Sequence, residues 1–539
     1  MTRLALAAAF LLAAPSLAQP TPLAPLDLDL VATLPPGVVG LAHEPAEGQL
    51  YVLTGGGDLY RLPPAVGAEP ELVATPEQHG APVPTYSIAI DGAGTIYLVG
   101  SRRTETTNTG VVRRGRVENG ARAWSTVAET APYPYGRTAF DHSLSAVAVS
   151  PDGSWLALNS GSRTDHGEVQ DGGGAFPGVR EVPLTSAILR VPADATDLVI
   201  PADSATLVDG GFLFADGTRN SFGLAFAPDG ELFGAENSGD RDDGDELNWL
   251  RRGRHYGFPW RMGTNDTPQR FPGYDPDADP LVNPASTAYQ SGAFYDDPTY
   301  PAPPAGVTFN DPIRNLGPDA DELRQPDGSI VDASDAGLVA TTFTPHRSPL
   351  GLVFVEPSSE PVVSCDAVVL SWTDGEDTSG SLLAPFEDTG EDLVCLRFTD
   401  DRAAVEAERV VAGFRNPIAA AAIGTTVYVA EFGAPYGLWA VETSGVATAH
   451  APDARLALAV VPNPLRQSGA LEVTLDAPRS ARVRLIDVLG RTVATVWDGP
   501  LAAGTHRLGV EAGKLAPGVY LAVVEAGGAR MVRSLTVAR

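Results

Sequence analysis

The 539-residue chain holds one lysine, Lys514, two cysteines and three methionines. With 67 Asp and Glu against 37 Lys and Arg, its formal charge is −30. Such a surface repels phosphates and anionic lipids, so neither nucleic acid nor an acidic membrane is expected as a main partner. The lysine shortage suits salty surroundings, and GC-rich coding that favours arginine produces it equally well. Cys365 and Cys395 allow one bridge at most; they adjoin two runs, 366–372 and 393–398, that read as neighbouring strands. A disulfide there fits an oxidising compartment, with two unpaired thiols as the alternative. Long apolar runs are missing too. The one candidate, 4–14, is shorter than a membrane span, which takes about 20 residues, so no transmembrane segment is expected. No long stretch repeats apolar residues at helical spacing, which argues against a helical architecture.

What is present begins with Met1-Thr2-Arg3, the short apolar run 4–14, and small residues at Ser16 and Ala18. One positive charge, an apolar core and small residues before a cleavage point make a secretory signal peptide over 1–18. The mature chain is therefore expected outside the cytoplasm, secreted or on a cell surface.

With 57 glycines and 47 prolines, the remainder reads as many short strands between tight turns. One pattern recurs: an apolar strand, a turn rich in Pro, Asp or Gly, then a second apolar strand. It appears at 38–53, 87–99, 146–158, 222–235, 350–371 and 418–430. Six copies of one hairpin predict an all-β fold, a six-bladed β-propeller over 19–445, against the alternative of an open sandwich. Residues 262–345, rich in Pro, Asp, Asn and Tyr, read as a long loop insertion, and such inserts on a rigid ring cluster near function. A linker over 446–454 leads to a small Ig-like β-sandwich over 455–539, where strands alternate with turns.

The terminal unit carries Val461-Pro462-Asn463-Pro464, Asp487-Val488-Leu489-Gly490-Arg491, Leu501-Ala502-Ala503-Gly504-Thr505-His506, Leu515-Ala516-Pro517-Gly518-Val519-Tyr520 and Arg533-Ser534-Leu535-Thr536-Val537. In this order they resemble the type A sorting domain of the type IX secretion system of Bacteroidota-like bacteria. The resemblance implies crossing of an outer membrane through the type IX secretion machinery, followed by release or surface anchoring. An adhesive or carbohydrate-binding Ig-like module is the alternative.

Within the ring, Phe140-Asp141-His142-Ser143 leads into the third hairpin. Gly217-Thr218-Arg219-Asn220-Ser221-Phe222 leads into the fourth. Ala235-Glu236-Asn237-Ser238-Gly239, Asp245-Glu246-Leu247-Asn248 and Arg254-His255-Tyr256-Gly257-Phe258-Pro259-Trp260 follow. The set resembles the soluble glucose and sorbosone dehydrogenases, propellers that oxidise sugars with pyrroloquinoline quinone (PQQ). That resemblance implies an oxidoreductase with PQQ and Ca²⁺ as cofactors, a small sugar substrate and a separate electron acceptor. It implies His142 as the base that takes the hydroxyl proton, a task suited to histidine near neutral pH. Arg219 would stabilise negative charge on the quinone oxygens. Asn220 and Asn237 would contact the cofactor or its calcium, the carbonyls of Ser238 and Gly239 would ligate Ca²⁺, and Arg415, in Gly413-Phe414-Arg415-Asn416-Pro417, would meet the cofactor's carboxylates.

Three positions depart from the family. Gly161-Ser162 stands where a Gly-Asp orients the histidine, with Asp165 as the carboxylate available nearby. Thr373 stands where the family has a lysine, and Pro84-Thr85-Tyr86-Ser87 replaces a Gly-Leu-Leu-Gly motif. Taken singly, His142 is an ordinary strand-edge histidine and Arg219 a structural partner of Asp245-Glu246; residues 240–245 do not fit EF-hand spacing. The departures support a second reading, a non-catalytic propeller that binds a glycan or protein. A metal-dependent lactonase needs several carboxylates converging on the channel, and no clear set is present.

Overall fold

Val, Leu and Ile runs broken by glycine and Pro-Asp-Gly turns have room for strands but not for helices. Among the described residues the molecule is all-β, and its longest α-helix has six residues, Ser204–Asp209. The computed structural model describes residues 19–356, 363–373, 385–388 and 390–443. Beyond these it describes 457–461, 465–466, 468–475, 478–487, 492–511, 513, 515–516, 518–526 and 529–537. The expected signal 1–18, the linker 446–454, Pro462-Asn463-Pro464 and 488–491 lie outside the described residues. The chain divides into two units, Met1–Val446 and Ala447–Arg539.

All six repeated segments form antiparallel hairpins. Val38–Glu44 pairs with Gln49–Thr54, Thr85–Ile90 with Ile96–Arg103, and Leu144–Val149 with Trp155–Ser160. Gly223–Phe226 pairs with Leu232–Glu236, Pro349–Phe354 with Ala367–Ser371, and Pro417–Ile423 with Thr426–Glu431. Each hairpin opens one sheet of three or more strands. The opening strand of each sheet touches that of the next, and Pro417–Ile423 returns to Val38–Glu44, so the contact order is cyclic. These strands run in one direction. Position 40 abuts Ile88, Val147 N–H donates to Ser87 Oγ, position 223 abuts Leu350 and position 351 abuts Ala420, always at similar distances from the strand start. Their N-terminal ends therefore share one mouth. The sixth sheet is completed by Asp27–Thr33 beside Gly437–Glu442, which ties the start of the described chain to the end of the unit.

Packing explains why alternation is weak in the second strands: Gln49–Thr54 is buried from Leu50 to Thr54 because neighbouring sheets cover both faces. Val99, Val147 and Leu158 share one core between the second and third sheets, and Phe233, Val369 and Leu396 another between the fourth and fifth. The insertion carries two short antiparallel pairs, Arg261–Met262 with Asn265–Asp266 and Glu322–Arg324 with Ile330–Asp332, and one strand, Arg314–Pro318, that joins the fifth sheet parallel to Ala404–Ala412. Ion pairs anchor it: Arg241 to Asp279 at 2.9 Å, Arg324 to Asp242 at 2.5 Å and Arg180 to Asp297 at 2.6 Å.

Cys365 and Cys395 form a disulfide across 30 positions of sequence. Closing such a loop restricts the unfolded chain, so replacing both by serine is expected to lower unfolding free energy by about 2–4 kcal/mol. Urea denaturation monitored by tryptophan fluorescence reads this directly. An unchanged midpoint would mean that the bridge adds nothing to stability.

The second unit has two sheets. Ala457–Val461, Ser468–Leu475 and Gly504–Glu511 make one; Thr492–Leu501, Arg479–Asp487, Gly518–Ala526 and Ala529–Val537 make the other. Leu471, Val473, Val483, Leu485, Val524 and Leu535 share one buried core.

Candidate active site

The loops at the shared mouth are built by glycines and backbone hydrogen bonds. Gly217 has φ +73°, and a Cβ there would collide with His255 Nδ1. Only glycine combines that conformation with so close an approach. The His255–Pro259 run thereby packs on the turn before Arg219, with Phe258 N–H donating to Gly217 O at 2.9 Å. Gly161 makes the second close approach: a Cβ would lie 2.5 Å from His142 Cβ and 3.2 Å from Asn220 Oδ1. His142 N–H donates to Ser162 O at 2.9 Å, and Ser162 N–H donates to Arg219 O at 2.7 Å. The loops carrying His142, Ser162 and Arg219 are thus stitched together.

His142 Nδ1 lies 3.2 Å from both Ser162 O and Ser162 Oγ. A carbonyl oxygen can only accept, so this contact places the ring proton on Nδ1 and leaves Nε2 with a free lone pair. No side chain among the described residues hydrogen-bonds to Nε2, and the Phe140 backbone is the ring's one further, weaker partner. Burial, reinforced by the charge of Arg219, lowers the His142 pKa to about 3. The imidazole is therefore expected to remain neutral and Nδ1-protonated between about pH 5 and pH 8. Nitrogen–proton correlation spectra of the whole chain test this; a His142 titration centred near pH 6.5 would contradict it.

Arg219 is buried, and each of its three guanidinium nitrogens donates one hydrogen bond. Its Nε donates to Asp165 O at 2.9 Å, Nη2 to Asp165 Oδ1 at 3.1 Å and Nη1 to Asn237 O at 3.2 Å. Its backbone N–H donates to Glu236 Oε1 at 2.8 Å. The ion-pair partner is Asp165, not Asp245 or Glu246. Nor does Asp165 orient His142: Ser162 does that, and Asp165 is held by Arg219, by His166 Nδ1 at 2.8 Å and by Asp240 N–H at 3.0 Å. These contacts, led against burial by the His166 hydrogen bond and the Arg219 charge, hold the Asp165 carboxyl down at about 2.

Asn220 Oδ1 accepts from Asn159 Nδ2 at 3.2 Å and Ser145 Oγ at 3.3 Å, while its Nδ2 has no partner among the described residues. Asn237 Oδ1 is buried without any hydrogen bond, and Ser238 Oγ is buried with only a weak interaction with the Asp245 carboxylate. No donor reaches the Ser238 or Gly239 carbonyl among the described residues. Gly239 packs on Asp165, where a Cβ would sit 3.0 Å from its carboxylate. These adjacent, unsatisfied oxygens are the donors a hard cation takes. No group of three or more His, Cys, Asp or Glu placed for a metal occurs among the described residues, so a cation here would depend on amide, hydroxyl and carbonyl oxygen.

Arg415 stands two residues before the opening strand of the sixth sheet, at the same mouth, and is exposed. Its guanidinium makes no hydrogen bond or ion pair among the described residues, although its charge acts on the Glu431 carboxylate, and no hydrogen bond joins it to the other six expected residues. Its backbone repeats that of Arg219: Arg415 N–H donates to Glu431 Oε1 at 2.8 Å, as Arg219 N–H does to Glu236. Thr373 N–H donates to Arg347 O at 3.3 Å, and Arg347 is itself paired with Asp388 and Asp392. The two carboxylate clamps escaped the sequence reading, although Arg-Asn before one strand and Ala-Glu ending the next recur in both sheets.

No curated protein matches the chain. Among solved structures it is similar to the soluble aldose sugar dehydrogenase of Escherichia coli in its apo form (14% identity, TM-score 0.48, covering 78% of this chain and 99% of that one). It is also similar to the PQQ-bound aldose sugar dehydrogenase of Streptomyces coelicolor (17%, TM-score 0.44, 78% and 99%). A third is the holo PQQ domain of pyranose dehydrogenase from Coprinopsis cinerea (14%, TM-score 0.47, 79% and 99%). Residues 47–302, the stretch that carries His142, Arg219, Asn220, Asn237, Ser238 and Gly239, match the Glucose / Sorbosone dehydrogenase family model, which supports an oxidoreductase.

Proposed function

We propose that this chain is an exported, PQQ- and calcium-dependent aldose dehydrogenase that oxidises a sugar hydroxyl to a lactone. The observation that carries this reading is His142: a neutral imidazole with a fixed tautomer and an Nε2 that no side chain among the described residues takes, at a mouth that also holds unsatisfied oxygens. PQQ, when bound, supplies the hydride acceptor. His142 Nε2 takes the proton of the substrate hydroxyl, and Ser162 holds the ring while it does so. Asn237 Oδ1, Ser238 Oγ and the Ser238 and Gly239 carbonyls would hold calcium. Arg415, exposed and unpaired, would meet a cofactor carboxylate, and Asn220 Nδ2 offers it a donor. Arg219 supports the floor of the site through Asp165 and Asn237.

The cyclic order of six sheets supports a six-bladed β-propeller, and the two-sheet terminal unit supports an Ig-like sorting domain. The motif at 1–18 and the terminal motifs support passage through the type IX secretion machinery to the outer-membrane surface or beyond. The test is dye reduction by purified chain given PQQ, calcium and a panel of aldoses, with PQQ binding followed by absorbance. Neither turnover nor binding would end the reading.

One observation favours a non-catalytic glycan- or protein-binding propeller instead. Arg219 is neutralised by Asp165, and Thr373 adds no charge, so Arg415 alone offers an unpaired cation among the expected residues. This second reading expects calcium to raise thermal stability while PQQ does not.

A further inference from the structure

The opening strands start at the mouth, so the turns that follow them lie at the opposite face. There the turn after Gly223–Phe226 and the ends of Pro349–Phe354 and Asp392–Phe398 enclose a cleft between the fourth and fifth sheets. Its volume is about 420 Å³, within the range of small-molecule sites, about 300–1,000 Å³. The floor is aromatic. Phe354 and Phe398, both half-buried, lie within 14° of parallel with ring centres 6.0 Å apart. Each ring centre is 5.2 Å from that of the buried Phe233. The walls are fixed at two places. Arg402, in the turn after Phe398, pairs with Asp229, in the turn after Phe226, and so bridges the two sheets. Cys365, on another wall, is joined by the disulfide to Cys395 within Asp392–Phe398.

The rim carries both acceptors and donors. Glu356 and Asp400 are exposed and make no side-chain hydrogen bond or ion pair among the described residues. Asp366, also exposed, accepts from Phe398 N–H at 2.8 Å through Oδ2 and keeps Oδ1 open. Arg402 Nη2 is taken by Asp229, while Nε and Nη1 make no hydrogen bond among the described residues. Three simple classes of ligand fit this rim poorly. An anion meets the carboxylates, and a wholly apolar molecule strips their water without replacing it. An organic cation gains the carboxylates but must lie beside Arg402, which already covers the Phe233 and Trp249 rings at 5.7 and 5.5 Å. A neutral pyranoside uses every group: its C–H face packs on flat rings, and its hydroxyls donate to carboxylates and accept from a guanidinium. Because the walls are already tied, little ordering is lost on binding.

We propose that this cleft binds a neutral pyranose unit of a glycan, at the face opposite the mouth and independently of any oxidation there. The test is calorimetry on the full chain, without PQQ, using the methyl glycosides of glucose, galactose and mannose. Their blocked C1 hydroxyl denies the mouth its reacting group. At least one of them is expected to bind. Replacing both exposed carboxylates, Glu356→Ala with Asp400→Ala, weakens that binding about 10-fold or more, the usual worth of a hydrogen bond to a charged group. Phe398→Leu keeps an apolar side chain but removes the flat face, and weakens it about 3- to 10-fold. His142→Ala leaves it within about twofold, as expected of a distant site. Aldose oxidation is expected unchanged in both cleft variants, so the cleft and the mouth fail separately. No binding of any of the three glycosides, binding lost in His142→Ala, or binding that either cleft variant leaves intact overturns the proposal. Tetramethylammonium bound where no glycoside binds would assign the cleft to cations instead.

Discussion

Replacing His142 by alanine is expected to lower PQQ- and calcium-dependent aldose oxidation by about 10²- to 10⁴-fold, the usual contribution of a positioned base. PQQ affinity is expected to stay within about twofold, because the residues assigned to holding cofactor and cation are others. Three local facts leave Nε2 open to accept a proton, while the pKa of about 3 makes the ring a weak base in the cofactor-free chain. Ser162 fixes Nδ1 as the donor, burial and Arg219 keep the ring neutral, and Nε2 has no competing side-chain partner among the described residues. Ser162→Ala keeps the carbonyl contact and removes only the hydroxyl, so a smaller loss is expected there. A His142→Ala chain that turns over at the original rate would move the base elsewhere.

Asp165→Leu is expected to destabilise the first unit by about 3–5 kcal/mol, because it leaves the buried Arg219 guanidinium without its counter-charge. Asp165 and Arg219 are 1% and 4% exposed, so solvent cannot take over. The same substitution frees His166 Nδ1 and Asp240 N–H, which adds to the cost. Arg219→Met in the Asp165→Leu background recovers part of it, with a coupling energy of about 1–3 kcal/mol in denaturant cycles. A loss below about 1 kcal/mol would show that Arg219 finds another partner, and would return it to the role of a quinone-facing cation.

The hairpins were legible because each depends on nearest-neighbour chemistry: apolar strand, Pro-Asp-Gly or Gly turn, apolar strand. Val147 and Leu158, for example, form a register pair inside the third repeat, 146–158. The short strands of the insertion were not legible, since Glu322–Arg324 is tied to distant residues, through the Arg324–Asp242 ion pair and the Glu322 N–H bond to Thr344 Oγ1. The same division runs through the site. That His142, Arg219, Asn220 and the 237–239 loop gather at one mouth follows from their positions at strand ends. Which carboxylate serves which cation did not follow: Asp165 reaches Arg219 across 54 positions, and nothing local says that Ser162 rather than Asp165 holds the histidine. Arg415 shares the mouth, yet its unpaired guanidinium is visible only once the neighbouring carboxylate, Glu431, is seen to accept from backbone N–H groups.

The most direct measurement loads the full chain with PQQ and calcium under anaerobic conditions, mixes it with an aldose, and follows the absorbance of the oxidised quinone in a single turnover. The expected result is loss of that absorbance in the natural chain and its persistence in His142→Ala, with the quinone bound equally in both. A natural chain that binds no PQQ, or that binds it and leaves its absorbance unchanged with every aldose tried, would contradict the assignment.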